Sequence, residues 1–137
     1  MQMHGARYNF MKKRNILILG GSSDIGNYII SKLVKENHKI TAQINKTNNA
    51  LTKFNKKIKT MKFDFDISNY DKLKIFSNKF DVIVNCIGYI DNKTIFNSNI
   101  EDTIKSIKIN SIIPFYIIKE NINFMKKKGY GRILNCS

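Results

Sequence analysis

Short apolar runs that alternate with stretches of helical spacing limit this chain more than any other feature. The runs are 15–19, 39–44, 58–65, 81–86 and 133–136. Their Val, Ile, Leu and Phe character is nearly continuous rather than alternating. A strand apolar on both faces is buried on both faces, the condition of a parallel sheet covered by helices. Between the strands, residues 24–36 place Ile25, Ile29, Ile30, Leu33 and Val34 on one helical face, with Asn37 as a left-handed stop. Residues 47–55 are weakly helical, with Leu51 and Phe54. Ser68 and Asp71 have the spacing of a capping box ahead of a helix carrying Leu73 and Phe76. Right-handed crossovers leave a doubly wound α/β sheet with strand order 3-2-1-4-5.

A long helix is expected over residues 99–128, ending at Gly129. One stripe, Ile104, Ile107, Ser111, Phe115, Ile118, Ile122 and Met125, is expected to face the sheet. A second stripe, Ile109, Ile113, Tyr116 and Ile117, is expected to meet another part of the protein or a second subunit, making the chain a homo-oligomer. An Ile-rich composition without a partner is the alternative.

Composition narrows the function classes. The chain has 137 residues and 42% hydrophobic residues, enough for one domain with a core. Residues 1–10 read as a flexible extension and 11–137 as the domain. Apolar runs stay far below the roughly 20 residues that span a bilayer, and the N-terminal run is too short for a signal peptide. No membrane partner and a cytoplasmic location are therefore expected. The net charge is +14, but the lysines are scattered and form no aromatic-interleaved basic stripe, so no nucleic-acid partner is expected. Cys86 and Cys136 lie far apart in sequence. They make neither a disulfide framework nor a metal site, and are read as reduced, buried thiols.

The first strand runs into Gly20-Gly21-Ser22-Ser23-Asp24-Ile25-Gly26, a small-residue loop opening a helix. Such a junction can hold a phosphate on backbone N–H groups and the helix N-terminus. Gly20 would make the turn, Ser22 and Ser23 would face phosphate, and Gly26 would let the helix approach. An ordinary strand–helix turn is the alternative. Asn85-Cys86-Ile87-Gly88 follows strand four, so the two loops should meet at the switch point between strands one and four. Asn85 is otherwise a turn-former at a strand end. Asp66, beside Ile67, could accept from an adenine amino group or simply lie near the Ser68 cap. Strand two ends at Asn45-Lys46 with no acid for a ribose 2′-hydroxyl, which suits a 2′-phosphate and hence NADP over NAD. A solvated Lys46 is the alternative. In the long helix, Pro114 removes the i→i+4 partner of the Asn110 carbonyl.

Together these residues resemble the short-chain dehydrogenase/reductase family over residues 14–137. That family's Thr-Gly-x-x-x-Gly-x-Gly loop looks like Leu19-Gly20-Gly21-Ser22-Ser23-Asp24-Ile25-Gly26, and its Asn-Asn-Ala-Gly like Asn85-Cys86-Ile87-Gly88. Its adenine-contacting Asp matches Asp66, and its helix Asn and following Pro match Asn110 and Pro114. Its Gly-x-Ile-Val-Asn-x-Ser-Ser strand matches Gly131–Ser137. The resemblance implies a Rossmann-type sheet lacking its C-terminal strands, NADP(H) or NAD(H) as cofactor, and hydride transfer between nicotinamide and a carbonyl or alcohol. It makes Asn110 a catalytic support residue. Asp24 departs from the family's middle glycine, either placing a charge near the pyrophosphate or turning away to cap the helix. Cys86 and Ile87 replace smaller residues. The family's catalytic Tyr-x-x-x-Lys would lie beyond Ser137. Tyr8/Lys12 and Tyr70/Lys74 share that spacing but are decoys by position. The chain is thus expected to be a cofactor-binding fragment without activity of its own. A non-catalytic nucleotide-binding or regulatory module is the alternative.

Overall fold

The computed structural model describes residues 12–46 and 49–136. The expected extension 1–10, Met11 and Ser137 lie outside the described residues. Five parallel strands, β1 (Asn15–Leu19), β2 (Lys39–Ile44), β3 (Ile58–Lys62), β4 (Val82–Asn85) and β5 (Arg132–Asn135), form one sheet in the order β3-β2-β1-β4-β5. This is the doubly wound order anticipated from the apolar runs.

Each strand sends alternate side chains to opposite faces. Leu17, Leu19 and Ile83 pack on one side with Phe76, Phe80, Ile113 and Ile117. Ile16, Ile18 and Val84 pack on the other with Ile30, Ala42 and Leu51. Both sides are apolar, which is why the strand sequences do not alternate. The face carrying Ile16, Ile18 and Val84 is covered by one helix, α1 (Asp24–Leu33), with a 3-10 segment, Asn49–Phe54. The opposite face carries a 3-10 segment, Tyr70–Phe76, and the helices that follow β4.

Local details depart from the sequence reading. Helix α1 stops at Leu33, three residues early, and Asn37 is not left-handed. Among described non-glycine residues only Asn78 has positive φ, at 52°. Strand β3 ends at Lys62, not at 65. Its partner β2 ends opposite, at Ile44, so no ladder remains to extend it. The segment before Leu73 is a 3-10 helix capped by Asn69, whose side chain accepts from the Asp71 N–H, so Ser68 is not the cap.

The long helix shows the largest difference. It consists of α2 (Ile100–Ile107), a π turn at Lys108–Ile112 and α3 (Ile113–Lys128). Pro114 has no N–H, so the regular ladder fails one turn upstream. The Ile113 N–H instead reaches the Lys108 carbonyl, five residues back. The wider turn inserts a residue into the helical repeat, so stripes spaced by three and four change face across it. Ile113 and Ile117 are fully buried against the sheet, Tyr116 packs beside them, and Ile109 is half-buried. Ile104, Ile107, Phe115 and Ile122, expected to face the sheet, are exposed, whereas Met125 is buried as expected. Ile113 and Ile117, central to the expected second stripe of Ile109, Ile113, Tyr116 and Ile117, thus belong to the core rather than to an exposed face.

Candidate functional site

The site is built at the carboxyl end of the sheet. The β1–α1 loop turns at Gly20, whose φ of +72° is a left-handed value that glycine accepts without strain. A Cβ at Gly20 would lie 2.8 Å from the Cys86 carbonyl oxygen, so the loop after β1 and the loop after β4 touch through bare backbone. Gly26 is equally constrained, since a Cβ there would meet the Gly20 carbonyl oxygen at 2.4 Å. The glycine therefore brings α1 against the loop itself.

Three hydrogen-bonding devices fix the loop. Ser23 caps α1: its hydroxyl accepts from the Gly26 N–H at 3.1 Å and donates to the Gly20 carbonyl at 2.7 Å. Asp24 is thus not the cap, and the Ser23 hydroxyl works inside the loop. The Gly21 N–H donates to the Gln43 carbonyl at 2.8 Å. The buried Gln43 side chain accepts from the Gly20 N–H at 2.9 Å and donates to the Phe63 carbonyl at 2.6 Å, joining the loop to β2 and to the chain beyond β3.

These contacts shape a cleft of about 540 Å³. From the sequence-predicted residues it brings together Gly20, Ser22, Ser23, Asn45, Lys46, Asp66, Cys86, Ile87 and Gly88. Gly21 and Gly26 lie behind the loop as packing glycines. Asp24 and Ile25 are exposed on the first turn of α1, outside the cleft lining, so the feared charge does not line it. Asn85 is buried. Its Oδ1 accepts from the Ile87 N–H at 3.2 Å and its amide donates to Asn135 Oδ1 at 3.2 Å, so it shapes the turn rather than the surface. Ile67 is half-buried behind Asp66.

Asp66 is held by two cations from the long helix. Lys108 Nζ lies 2.6 Å from Oδ1 and Lys105 Nζ 3.5 Å from Oδ2. The hydrogen bond and charge of Lys108, then the charge of Lys105, hold the exposed carboxyl below its ordinary pKa. Asn110 clamps the loop after β4: its Oδ1 accepts from the Tyr89 N–H at 2.7 Å, and its Nδ2 donates to the Tyr89 carbonyl at 2.9 Å and to Ser106 Oγ at 3.1 Å. The π turn carries this amide toward the loop.

Gln43, Tyr89, Lys105 and Ile109 line the same cleft and escaped the sequence reading. Gln43 had a signal, an amide side chain inside a mostly apolar, buried strand. Lys105 and Lys108 stand one helical turn apart, but nothing local ties them to a carboxylate that precedes Lys108 by 42 residues. Tyr28/Lys32 and Tyr89/Lys93 also have Tyr-x-x-x-Lys spacing. In the first, the ammonium lies 4.9 Å from its own tyrosine ring; in the second, Lys93 is paired with Asp102. Tyr70 packs on Tyr116 and Lys74 pairs with Asp71 at 2.8 Å, away from the cleft.

The donor set suits a dinucleotide. Glycine backbone and the N-terminus of a ten-residue helix stand at one end, and a carboxylate with flanking ammoniums at the other. The bare Gly20 turn lets the loops after β1 and β4 close together at the cleft. Among the described residues, no helix is long and apolar enough to cross a membrane.

A family model described as short chain dehydrogenase matches residues 14–137. Acetoacetyl-CoA reductase of Cupriavidus necator is 26% identical over 139 aligned residues, which cover 93% of this chain and 56% of that protein. A bulky-bulky ketone specific alcohol dehydrogenase from Comamonas testosteroni superposes with a TM-score of 0.79 at 14% identity, covering 89% of this chain and 53% of that one. YwfH, an NADPH dependent reductase involved in bacilysin biosynthesis, superposes with a TM-score of 0.71 at 24% identity, covering 90% and 57%. The chain spans about half the length of these proteins. With the family model matching nearly its whole length, this chain belongs to the short chain dehydrogenase family.

Proposed function

We propose that the chain is the cofactor-binding part of an NADP(H)-dependent oxidoreductase acting on a carbonyl or alcohol. The observation that carries this reading is the meeting of the Gly20–Ser23 loop, Asn45–Lys46, Asp66 and Cys86–Gly88 in one cleft at the β1/β4 switch point. The names of similar proteins, reductases and dehydrogenases, support the reaction class.

In this reading, the pyrophosphate lies over the Gly20–Ser23 loop against Ser22 and the start of α1, while the Gly20, Gly21 and Ser23 N–H groups, already bonded within the protein, hold the loop's shape. Asn45 and Lys46 take a ribose 2′-phosphate, which a strand end without an acid does not repel. Asp66 accepts from the adenine amino group, and Cys86–Gly88 form the opposite wall. Asn110 supports the chemistry by holding that wall through both main-chain atoms of Tyr89. The nicotinamide, when bound, supplies or accepts the hydride. General acid–base work needs a proton-carrying group within reach. Of the described Tyr-x-x-x-Lys pairs, Tyr28/Lys32 stands on α1 outside the cleft lining, Tyr70/Lys74 is remote and Lys93 is committed to Asp102. The 137-residue chain is accordingly proposed to bind without turnover.

Titration followed by NADPH fluorescence tests the reading. NADPH is expected to bind about tenfold tighter than NADH, roughly 1.4 kcal/mol. Lys46→Glu, at an exposed position, should bring the two affinities together. Binding of neither dinucleotide would sink the proposal. Equal binding by the unaltered chain would remove Lys46 from its role.

A further inference from the structure

Cys86 and Cys136 are distant in sequence, but the fold sets them side by side. Cys86 follows β4 and Cys136 follows β5, and these strands pair in register as Asn85 with Asn135. The ladder continues one step further: the Cys136 N–H donates to the Asn85 carbonyl at 2.9 Å, and the Cys86 N–H to the Leu19 carbonyl at 3.0 Å. In-register neighbours point to the same face, and both side chains pack at the edge of the same apolar cluster. Their sulfurs lie 3.7 Å apart. Neighbouring strands are about 4.8 Å apart, inside the roughly 4.4–6.8 Å Cα separation that a disulfide spans. Closing the pair to a bond of about 2.05 Å needs side-chain rotation and a small shift of the strand ends.

We propose that Cys86 and Cys136 form a reversible dithiol–disulfide pair, a modification site for peroxides in the wall of the cleft. One peroxide molecule is consumed per bond. Cys136 sulfur attacks hydrogen peroxide, giving a sulfenic acid and one water. Cys86 sulfur then displaces the sulfenic hydroxyl, which leaves as a second water with the Cys86 proton. Two thiols are oxidised by two electrons and the peroxide is reduced by two. The assignment of roles follows from environment. Burial, then the neighbouring Cys136 sulfur, push the Cys86 thiol up to about 12, so near neutral pH it stays protonated and is disfavoured as the sulfur that meets the peroxide first; its proton leaves with the hydroxyl as the bond between the sulfurs forms. The position gives the bond a consequence. The Cys86 carbonyl is pressed against Gly20, so drawing Cys86 toward β5 must alter the packing of the loop 20–26.

The proposal stands apart from any cofactor, and so does its test. The 137-residue chain, dilute and reduced, is treated with hydrogen peroxide and analysed by thiol titration, intact mass and a tryptic map. The expected result is a fall from two titratable thiols to none, loss of two hydrogens from the monomer mass, and one cross-linked peptide containing both cysteines. Dithiothreitol restores both thiols. Amide exchange in residues 20–26 differs between the two forms. Retention of both thiols, conversion to sulfinic acid without a cross-link, or a cross-link only between two chains overturns the proposal. Unchanged exchange in the loop overturns its link to the cleft. Cys136→Ser, at the sheet edge, should leave Cys86 unable to form the monomeric product.

Discussion

The two ends of the sheet each hold an aspartate, and they use it in opposite ways. At the amino end, Asp81 is 1% exposed and accepts from the Asn15 N–H at 2.8 Å and from Lys128 Nζ at 2.9 Å. Beside it, Arg14 stacks 3.4 Å from the centroid of the Tyr130 ring, and the buried Asn121 amide closes the 76–80 turn. At the carboxyl end, Asp66 is exposed and, among the described residues, its carboxylate is held by two lysines on the α2 and π segments. A buried carboxylate anchored to a main-chain N–H within the sheet is closed to a ligand. An exposed carboxylate with ammonium partners can trade them for a ligand at little cost. The contrast teaches that one end of the sheet is structural and the other is available for binding.

The sharpest way to break this contrast is at Asn121. Its amide accepts from the N–H groups of Lys79 and Phe80 and donates to the carbonyls of Phe76 and Ile117. Asn121→Ala orphans several buried main-chain groups and should cost at least about 3 kcal/mol in denaturant unfolding. NADPH affinity per folded molecule should stay unchanged; a parallel loss would mean that the two ends are coupled.

Gly26→Ala comes next and acts at the other end. Its new methyl would stand 2.4 Å from the Gly20 carbonyl oxygen. Overpacking of this kind costs about 1–3 kcal/mol. Here NADPH affinity should also fall by roughly tenfold, since the loop itself must move. Intact binding by the folded variant would show that the loop tolerates displacement.

The acid response of Asp81 gives a finer distinction. Burial raises its pKa, but the Asn15 N–H and Lys128 outweigh that, and the net shift is downward. A depressed folded-state pKa adds stability above the unfolded value, near 3.9, and that stability fades as pH falls through the folded value. Asp81→Asn should therefore reduce stability at neutral pH and flatten its decline in acid. An unaltered acid limb in denaturation at stepped pH would place the controlling carboxylate elsewhere.

The smallest effect is expected at Lys108. Lys108→Met removes an ion pair to an exposed carboxylate, so the unfolding midpoint should hardly move. Dinucleotide affinity should change by about threefold, as Asp66 is released from its closest cation. A large stability loss would show that this pair belongs with Asp81 among structural contacts.

Much of the cleft was legible because its parts are local. Gly20, Ser22, Ser23 and Cys86–Gly88 were placed by strand-to-loop junctions, and the strand order brings those junctions together. The long helix was misread because its apolar residues fill two faces nearly equally, and Pro114 shifts the phase between them through the π turn. Ser23, not Asp24, caps α1; both are good capping residues, and only the turn at Gly20 decides which reaches the Gly26 N–H.

The sequence by itself determined the parallel sheet, its order and the phosphate-type loop. Strand and helix periods are properties of the backbone, and crossover handedness allows few topologies. Only the tertiary structure decided which side chains meet: Asp66 with Lys105 and Lys108, Gln43 with Gly20, Cys86 with Cys136. Those pairings depend on sheet register and helix phase across dozens of residues, where a single-residue slip would exchange every partner.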